Sequence, residues 1–203
     1  VYYKIVEIKF NDTEISGNSG DKIIVDGGYY EISYNNDKNT VINTFTETEN
    51  LTINASKTWY DDNYENHRPS GVIVELQQKA SNETDWKKYG EQTTILNESN
   101  SWQCSWDNVP NQSIVNGTVI TYAYRVQEVG YVDSNNQEVL LSANSTSFAT
   151  SDDGCYKVSY EPYGGTISKN STNVTIKNTF ETVEKIDITP QKQWSGDTAT
   201  DST

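Results

Sequence analysis

The chain has 203 residues, of which 22% are charged and 33% hydrophobic, and its formal net charge is -14. At roughly 100–200 residues per domain, this length allows one large domain or two small ones. The excess of 29 acidic over 15 basic side chains repels polyphosphate and argues against nucleic-acid binding. An aromatic content of 11% is too high for a disordered acidic tail.

Strand signals recur along the chain, whereas helical ones do not. Four segments have the β-branched or alternating side chains that favour strands: residues 72–76, 119–126, 156–160 and 174–176. Polar turn clusters separate them: residues 61–63, 151–154 and 163–165. The only helix-like stretch, residues 82–89, is highly charged and is better explained as a loop or hairpin tip. Short strands between polar turns predict an all-β fold, a sandwich or a barrel.

Part of the sequence occurs twice. Four segments return at a later position: residues 3–7 as 124–128, 28–34 as 154–160, 41–45 as 176–180, and 57–59 as 192–194. The offset grows from 121 to 126 and then to 135 positions, which places two insertions in loops of the second copy. Self-similarity of this kind is typical of tandem domains.

The repeat predicts how the chain is organised. We expect residues 1–48 to be the C-terminal portion of one repeat, residues 49–182 to be a complete repeat, and residues 183–203 to begin the next. The parent of such a sequence is a tandem array with a period near 135 residues.

Asn-x-Ser/Thr triplets indicate an exported protein. Ten occur, about twice the number expected by chance from the 22 Asn and 43 Ser plus Thr of the chain: Asn11, Asn50, Asn54, Asn82, Asn97, Asn111, Asn116, Asn144, Asn170 and Asn173. They are either N-glycosylation sites or the ordinary polar residues of surface strands. No apolar run approaches the ~20 residues that cross a bilayer. No charged-then-apolar leader follows Val1, so we expect any secretion signal to lie outside this sequence.

Three groups of motifs, in chain order, resemble a Cna protein B-type domain, the stalk module of Gram-positive collagen adhesins and pilins. The first group is Lys57-Thr58-Trp59-Tyr60-Asp61-Asp62, then Arg68-Pro69 and residues 72–76. The second is residues 96–102 with Trp106, and the third is residues 124–128 with the closing pair Asn178-Thr179. The resemblance covers residues 49–182 and both flanking fragments. It implies an immunoglobulin-like β-sandwich with reversed topology, used as a rigid spacer.

The resemblance also implies a covalent bond between two side chains of the core. Lys57 on the first strand would be the nucleophile, Asn178 on the last strand the electrophile, and Glu128 on a middle strand the catalytic proton shuttle. Burial favours the neutral forms of Lys and Glu, which this chemistry needs. The reaction occurs once per molecule, so the protein is not expected to be an enzyme with turnover, and neither cofactor nor metal is required.

Each flanking fragment carries only part of the same set. Glu7 and Asn43 would serve the preceding repeat, and Lys192 would serve the following one. Complementary ends of this kind predict head-to-tail joining of identical subunits by strand addition. The alternative is that the sequence is a window on a longer array.

Other residues carry weaker signals. Cys104 and Cys155 lack the CxxC spacing of a zinc or redox site, and outside the cell we expect a disulfide between them rather than two buried thiols. The single His67 excludes multi-histidine metal sites, and it has no accompanying nucleophile motif for a Ser-His-Asp set. Acidic clusters at 61–63 and 152–153 lack the spacing of a calcium loop and are expected to be solvated turns.

We therefore expect an extracellular stalk or spacer module of a cell-surface adhesin or pilus-like fibre, located at the cell surface or cell wall. The competing hypothesis is a ligand-binding module for carbohydrate or a host matrix protein. That hypothesis requires an exposed aromatic patch, for which Trp86 in a charged loop is the candidate. An accessory domain of an enzyme would require a catalytic domain elsewhere in the parent chain.

Overall fold

The computed structural model describes residues 4–11, 13–37, 39–91, 93–143, 145–168, 171–184, 186, 188–193 and 195. Within these residues the strands are β1 Lys9–Phe10, β2 Thr13–Glu14, β3 Lys22–Val25, β4 Gly28–Tyr34, β5 Val41–Glu47, β6 Asn50–Tyr60, β7 Gly71–Ala80, β8 Lys87–Lys88, β9 Thr94–Leu96, β10 Gln103–Pro110, β11 Gln112–Val115, β12 Thr118–Val132, β13 Glu138–Leu140, β14 Ser147–Ser151, β15 Gly154–Glu161 and β16 Asn173–Thr182. Single 3-10 turns lie at Glu65–His67, Glu98–Asn100 and Tyr163–Gly165.

Two sheets make up the larger part of the fold. One has the strand order β10-β6-β16-β15-β14, and the other has the order β11-β12-β7-β8, with β13 on β12 and β9 on β7. Neighbours are antiparallel, except that β16 runs parallel to β6. Buried apolar residues of both sheets form one core cluster, as in a β-sandwich. The predicted all-β, immunoglobulin-like sandwich is confirmed.

Three long strands place their inward-facing residues at every second position, as the period of a strand requires. The buried residues at these positions are Ile53, Ala55 and Lys57 on β6, Val174, Ile176 and Asn178 on β16, and Tyr124, Val126 and Glu128 on β12. One polar residue of each strand thus continues an otherwise apolar inward row. The strand period of two residues therefore places Lys57, Glu128 and Asn178 in the core.

A separate three-stranded sheet, β3-β4-β5, precedes the sandwich. Its β4–β5 hairpin has the same register as the β15–β16 hairpin: Ile32 lies opposite Asn43 as Val158 lies opposite Asn178. All seven residue pairs of β4–β5 have counterparts at the repeat offsets. The predicted boundary between residues 48 and 49 falls between β5 and β6, and the division into repeats stays a prediction.

The predicted disulfide is wrong. Cys104 and Cys155 are both free. Cys104 lies on β10 at one edge of its sheet, and β6 and β16 separate it from Cys155 on β15. Three strand spacings amount to about 14 Å, whereas a disulfide needs Cα atoms within about 7 Å of each other.

Candidate functional site

The structure brings the three predicted side chains into contact. Asn178 Nδ2 donates a hydrogen bond of 2.9 Å to Glu128 Oε1, and Lys57 Nζ lies 3.6 Å from Glu128 Oε2. Lys57 and Asn178 are on neighbouring strands and two residues out of register, since Ile176 lies opposite Lys57 and Trp59 opposite Asn178. Glu128 reaches them from the other sheet and touches both.

The site is closed to solvent. The Lys57 and Glu128 side chains are 0% exposed, and Asn178 as a whole residue is 0% exposed. Lys57 Nζ, Glu128 Oε2 and Asn178 Oδ1 make no hydrogen bond to any described residue. Leaving three buried polar atoms unpaired is costly for a purely structural arrangement. A half-turn of the Asn178 amide would bring its Oδ1 toward the same carboxyl group.

Burial shifts both ionisable groups toward their neutral forms. Desolvation lowers the pKa of Lys57 to about 8, against an opposing attraction from Glu128. Desolvation likewise raises the pKa of Glu128, although Lys57 and Asn178 act in the other direction. A neutral amine is a nucleophile, and a protonated carboxyl group can polarise a carbonyl and transfer protons. The arrangement therefore suits attack by an amine on an amide.

Local features of the strands hold Glu128 in place. Its backbone N–H donates to the Tyr160 hydroxyl at 3.1 Å, and β12 has a bulge between Glu128 and Gly130. A bulge bends a strand and redirects its side chains. Gly130, a glycine inside a strand, is the sequence signal from which this bulge could have been predicted.

A second cluster beside Lys57 was missed by the sequence analysis. Asp61 was expected in a solvated turn, but it is 5% exposed and pairs with Arg68 and Tyr156. The expectation is wrong for this residue because the chain turns back after the short 3-10 turn and places Arg68 against it. The spacing of Asp61 and Arg68 follows no periodic pattern from which their contact could be predicted.

The part of the chain before β6 has the same pair of side chains in a more open setting. Asn43 Nδ2 donates to Glu7 Oε1 at 3.2 Å, and the Glu7 backbone N–H donates to the Tyr34 hydroxyl at 3.2 Å. Asn43 is exposed, whereas Asn178 is buried. The difference has a simple cause: β16 lies between β15 and β6, whereas in the described part of the chain β5 pairs only with β4.

The remaining predicted residues lie apart from this site. Lys192 is a described residue outside the strands. Among the predicted glycosylation sites, Asn144 and Asn170 lie outside the described residues. The others divide into exposed positions, Asn11, Asn50, Asn82, Asn116 and Asn173, and half-buried ones, Asn54, Asn97 and Asn111. At Asn97 the side chain accepts from the Ser99 backbone and caps a 3-10 turn.

Trp86 does not offer an open aromatic face. Lys79 Nζ lies 5.0 Å and Arg125 Cζ 4.6 Å from its ring centroid, and the residue is half-buried. Among the residues that the structure describes, no group of three or more His, Cys, Asp or Glu could hold a metal ion. No helix within these residues is long and apolar enough to cross a membrane.

One family model matches part of the chain. The model of the Cna protein B-type domain matches residues 53–150. A comparison with the curated proteins gives no match.

Solved structures that resemble the chain include those of a collagen binding surface protein and of a pilus adhesin. A single B repeat unit of the collagen binding surface protein Cna of Staphylococcus aureus is 24% identical, over 74% of this chain and 59% of that one, with a TM-score of 0.38. The pilus adhesin SpaC of Lactobacillus rhamnosus GG is 13% identical, over 76% of this chain and 16% of that one, with a TM-score of 0.37. The chain thus covers less than two thirds of either solved protein.

Proposed function

Because residues 53–150 belong to the Cna protein B-type domain family, we propose that the chain is a structural stalk module of a cell-surface adhesin or pilus-like fibre. An isopeptide bond that forms without an enzyme, between Lys57 and Asn178, stiffens it. The observation that carries the proposal is the closed contact of Lys57, Glu128 and Asn178 across the two sheets. The module is extracellular and sits at the cell surface or in the cell wall.

The proposed reaction balances within these three residues. The neutral Lys57 amine attacks Cγ of Asn178, so that the Nζ–Cγ bond forms and the Cγ–Nδ2 bond breaks. Glu128 accepts a proton from the attacking nitrogen and delivers one to Nδ2, which leaves as ammonia. Fixing amine and amide side by side in the core supplies the high effective concentration that the reaction lacks in water. Each molecule reacts once.

Strand direction explains why a stalk benefits from this bond. β6 and β16 are parallel neighbours, so the chain enters the sandwich at one end of this strand pair and leaves at the other. Force applied to the two chain ends therefore shears β6 against β16. A covalent bond between Lys57 and Asn178 joins these two strands and carries that load directly.

The test is the intact mass of the folded protein. The unmodified sequence should have lost one ammonia, about 17 Da, because the amine displaces Nδ2. Lys57→Ala and Glu128→Ala should each retain their full calculated masses. Lys157→Ala is a matched control, since Lys157 is an exposed strand lysine paired with Glu181, and it should show the same loss as the unmodified protein. A full mass for the unmodified protein would contradict the proposal.

Head-to-tail joining of subunits is a second proposal, supported by the open Glu7–Asn43 pair. The strand that would cover this pair has Lys192 at the position equivalent to Lys57. Ile186 and Ile188, at alternate positions before it, are both 83% exposed. A lysine-bearing strand of a second copy would dock beside β5 and bond to Asn43.

A denaturing gel tests this joining. Concentrated protein should give a ladder of covalent multimers, which Asn43→Ala abolishes without affecting the mass loss due to Lys57 and Asn178. A gel with monomers only would contradict head-to-tail joining and leave the proposal for Lys57 and Asn178 standing.

A further inference from the structure

A bidentate ion pair of the sandwich lies next to the proposed bond but takes no part in its chemistry. Asp61 accepts hydrogen bonds from Arg68 Nε at 2.7 Å and Nη2 at 2.6 Å, and from the Tyr156 hydroxyl at 3.0 Å. The Asp61 side chain is 2% exposed and that of Arg68 is 34% exposed. Such a pair is weak evidence of a role in stability, because apolar replacements of buried ion pairs are often at least as stable.

The Trp59 ring connects this pair to the reactive amine. Lys57 Nζ lies 4.2 Å from the ring centroid, and the Arg68 guanidinium carbon lies 5.6 Å from it. Tyr156, which binds Asp61, packs edge-on against Trp59 with the ring centroids 5.0 Å apart. Asp61, Arg68 and Tyr156 therefore fix the ring on which the amine rests.

Three charged groups act on Lys57, and each comes from a different part of the fold. Glu128 approaches from β12 and Asp61 follows β6, and both carboxylates favour the charged ammonium form. Arg68, from the segment that leads into β7, favours the neutral amine. Tyr156 on β15 faces Asp61 rather than the amine. Asp61 and Arg68 thus act on Lys57 with opposite signs.

We propose that the Asp61–Arg68 pair is a positioning element for isopeptide bond formation. It holds Trp59 under the Lys57 amine and keeps the charge that faces the amine balanced, so that the ammonium form is not favoured further. The inference rests on the proposed function of Lys57. Neither residue touches the atoms that react, so neither is catalytic.

Removing one member of the pair at a time distinguishes this role from simple bracing of the loop. Arg68→Met leaves a negative charge beside Lys57 and should raise the pKa of its amine. Asp61→Asn leaves a positive charge and should lower that pKa. A single unbalanced charge at this range corresponds to a shift on the order of one pH unit. A pair that only braced the loop would not shift the pKa of Lys57 in opposite directions in the two variants.

The experiment uses the full chain with Glu128→Gln, so that Lys57 stays a free amine. The pKa of Lys57 is measured by NMR titration in this parent and after adding Asp61→Asn, Arg68→Met, or both. The double change should restore the parental value within a few tenths of a unit, because it removes both charges. Arg68→Lys should also leave the value near that of the parent. Shifts of the same sign in the two single variants, or no shifts, would overturn the inference.

The NMR spectrum and the intact mass distinguish a variant that does not fold, a failure of the proposed function and a failure of the inference about the pair. If a single variant does not fold, its NMR spectrum will show this. In that case the Asp61→Asn/Arg68→Met and Arg68→Lys variants are compared with the parent. A shift of one unit in the pKa of Lys57 in either of them overturns the inference. If the unmodified protein keeps its full mass, the proposed function fails, whereas the titration still measures the effect of the pair. If ammonia is lost but the titrations show no opposite shifts, only the inference about the pair fails.

Discussion

Lys57→Met should lower the stability of the sandwich by an amount set by the size of the loop that the bond closes. The bond would link residues 57 and 178 and so enclose about 120 residues of chain. Restricting a loop of this size in the unfolded state stabilises the folded protein by about 5 kcal/mol. For a domain of roughly 130 residues, that loss lowers the melting temperature by roughly 15–20 °C.

Methionine is chosen so that the variant loses the isopeptide bond but keeps most of the packing in the core. It fills the space of the lysine stem, and Glu128, left without a cationic partner, avoids a buried charge by taking up a proton, because burial raises its pKa. Glu128 keeps its hydrogen bond from Asn178. Thermal unfolding followed by circular dichroism measures the difference. Lys157→Met, at an exposed ion pair with Glu181, is the matched control and should cost less than about 1 kcal/mol.

The reasoning is refuted if Lys57→Met melts within the range of Lys157→Met and the unmodified protein. In that case no bond joins β6 to β16, and the buried lysine contributes only as a side chain of the core.

Two further predictions concern the reaction and the cysteines. Bond formation, followed by mass after refolding from denaturant, should slow by up to tenfold per pH unit below about pH 8, because burial places the pKa of Lys57 at about 8 and the amine becomes protonated below it. A rate that is constant from pH 6 to pH 8 would contradict this assignment of the nucleophile. Protein unfolded without a reductant should react with two equivalents of a thiol reagent, since Cys104 and Cys155 are both free. Finding no reactive thiol would show that the strand order separating them is wrong.

The sequence was sufficient to predict the features that depend on the strand period and on the internal repeat. β-Branched or alternating side chains predicted four strands, which the structure extends to β7, β12, β15 and β16, whereas the long strand β6 was expected only from the family resemblance. The same alternation, carried one step further, places Lys57, Glu128 and Asn178 on inward positions. The repeat offsets matched Asn43 with Asn178, and the two hairpins indeed share one register.

What the sequence did not predict depends on contacts between distant residues. The parallel pairing of β6 with β16 joins strands more than 100 residues apart, and no local pattern encodes it. The same pairing inserts two strands between Cys104 and Cys155, so their compatible spacing in the sequence was misleading. Asp61 was predicted to be a solvated turn residue, because the hydrogen bonds that it accepts from Arg68 and Tyr156 exist only in the folded loop.

Peptide mapping of the folded protein by tandem mass spectrometry tests the central claim most directly. After digestion, a branched peptide should join the segment that contains Lys57 to the one that contains Asn178, and its fragments should place the link at these two side chains with the loss of one ammonia. The same digest of Glu128→Gln should give the two peptides separately. Separate, unmodified peptides from the unmodified protein would contradict the account.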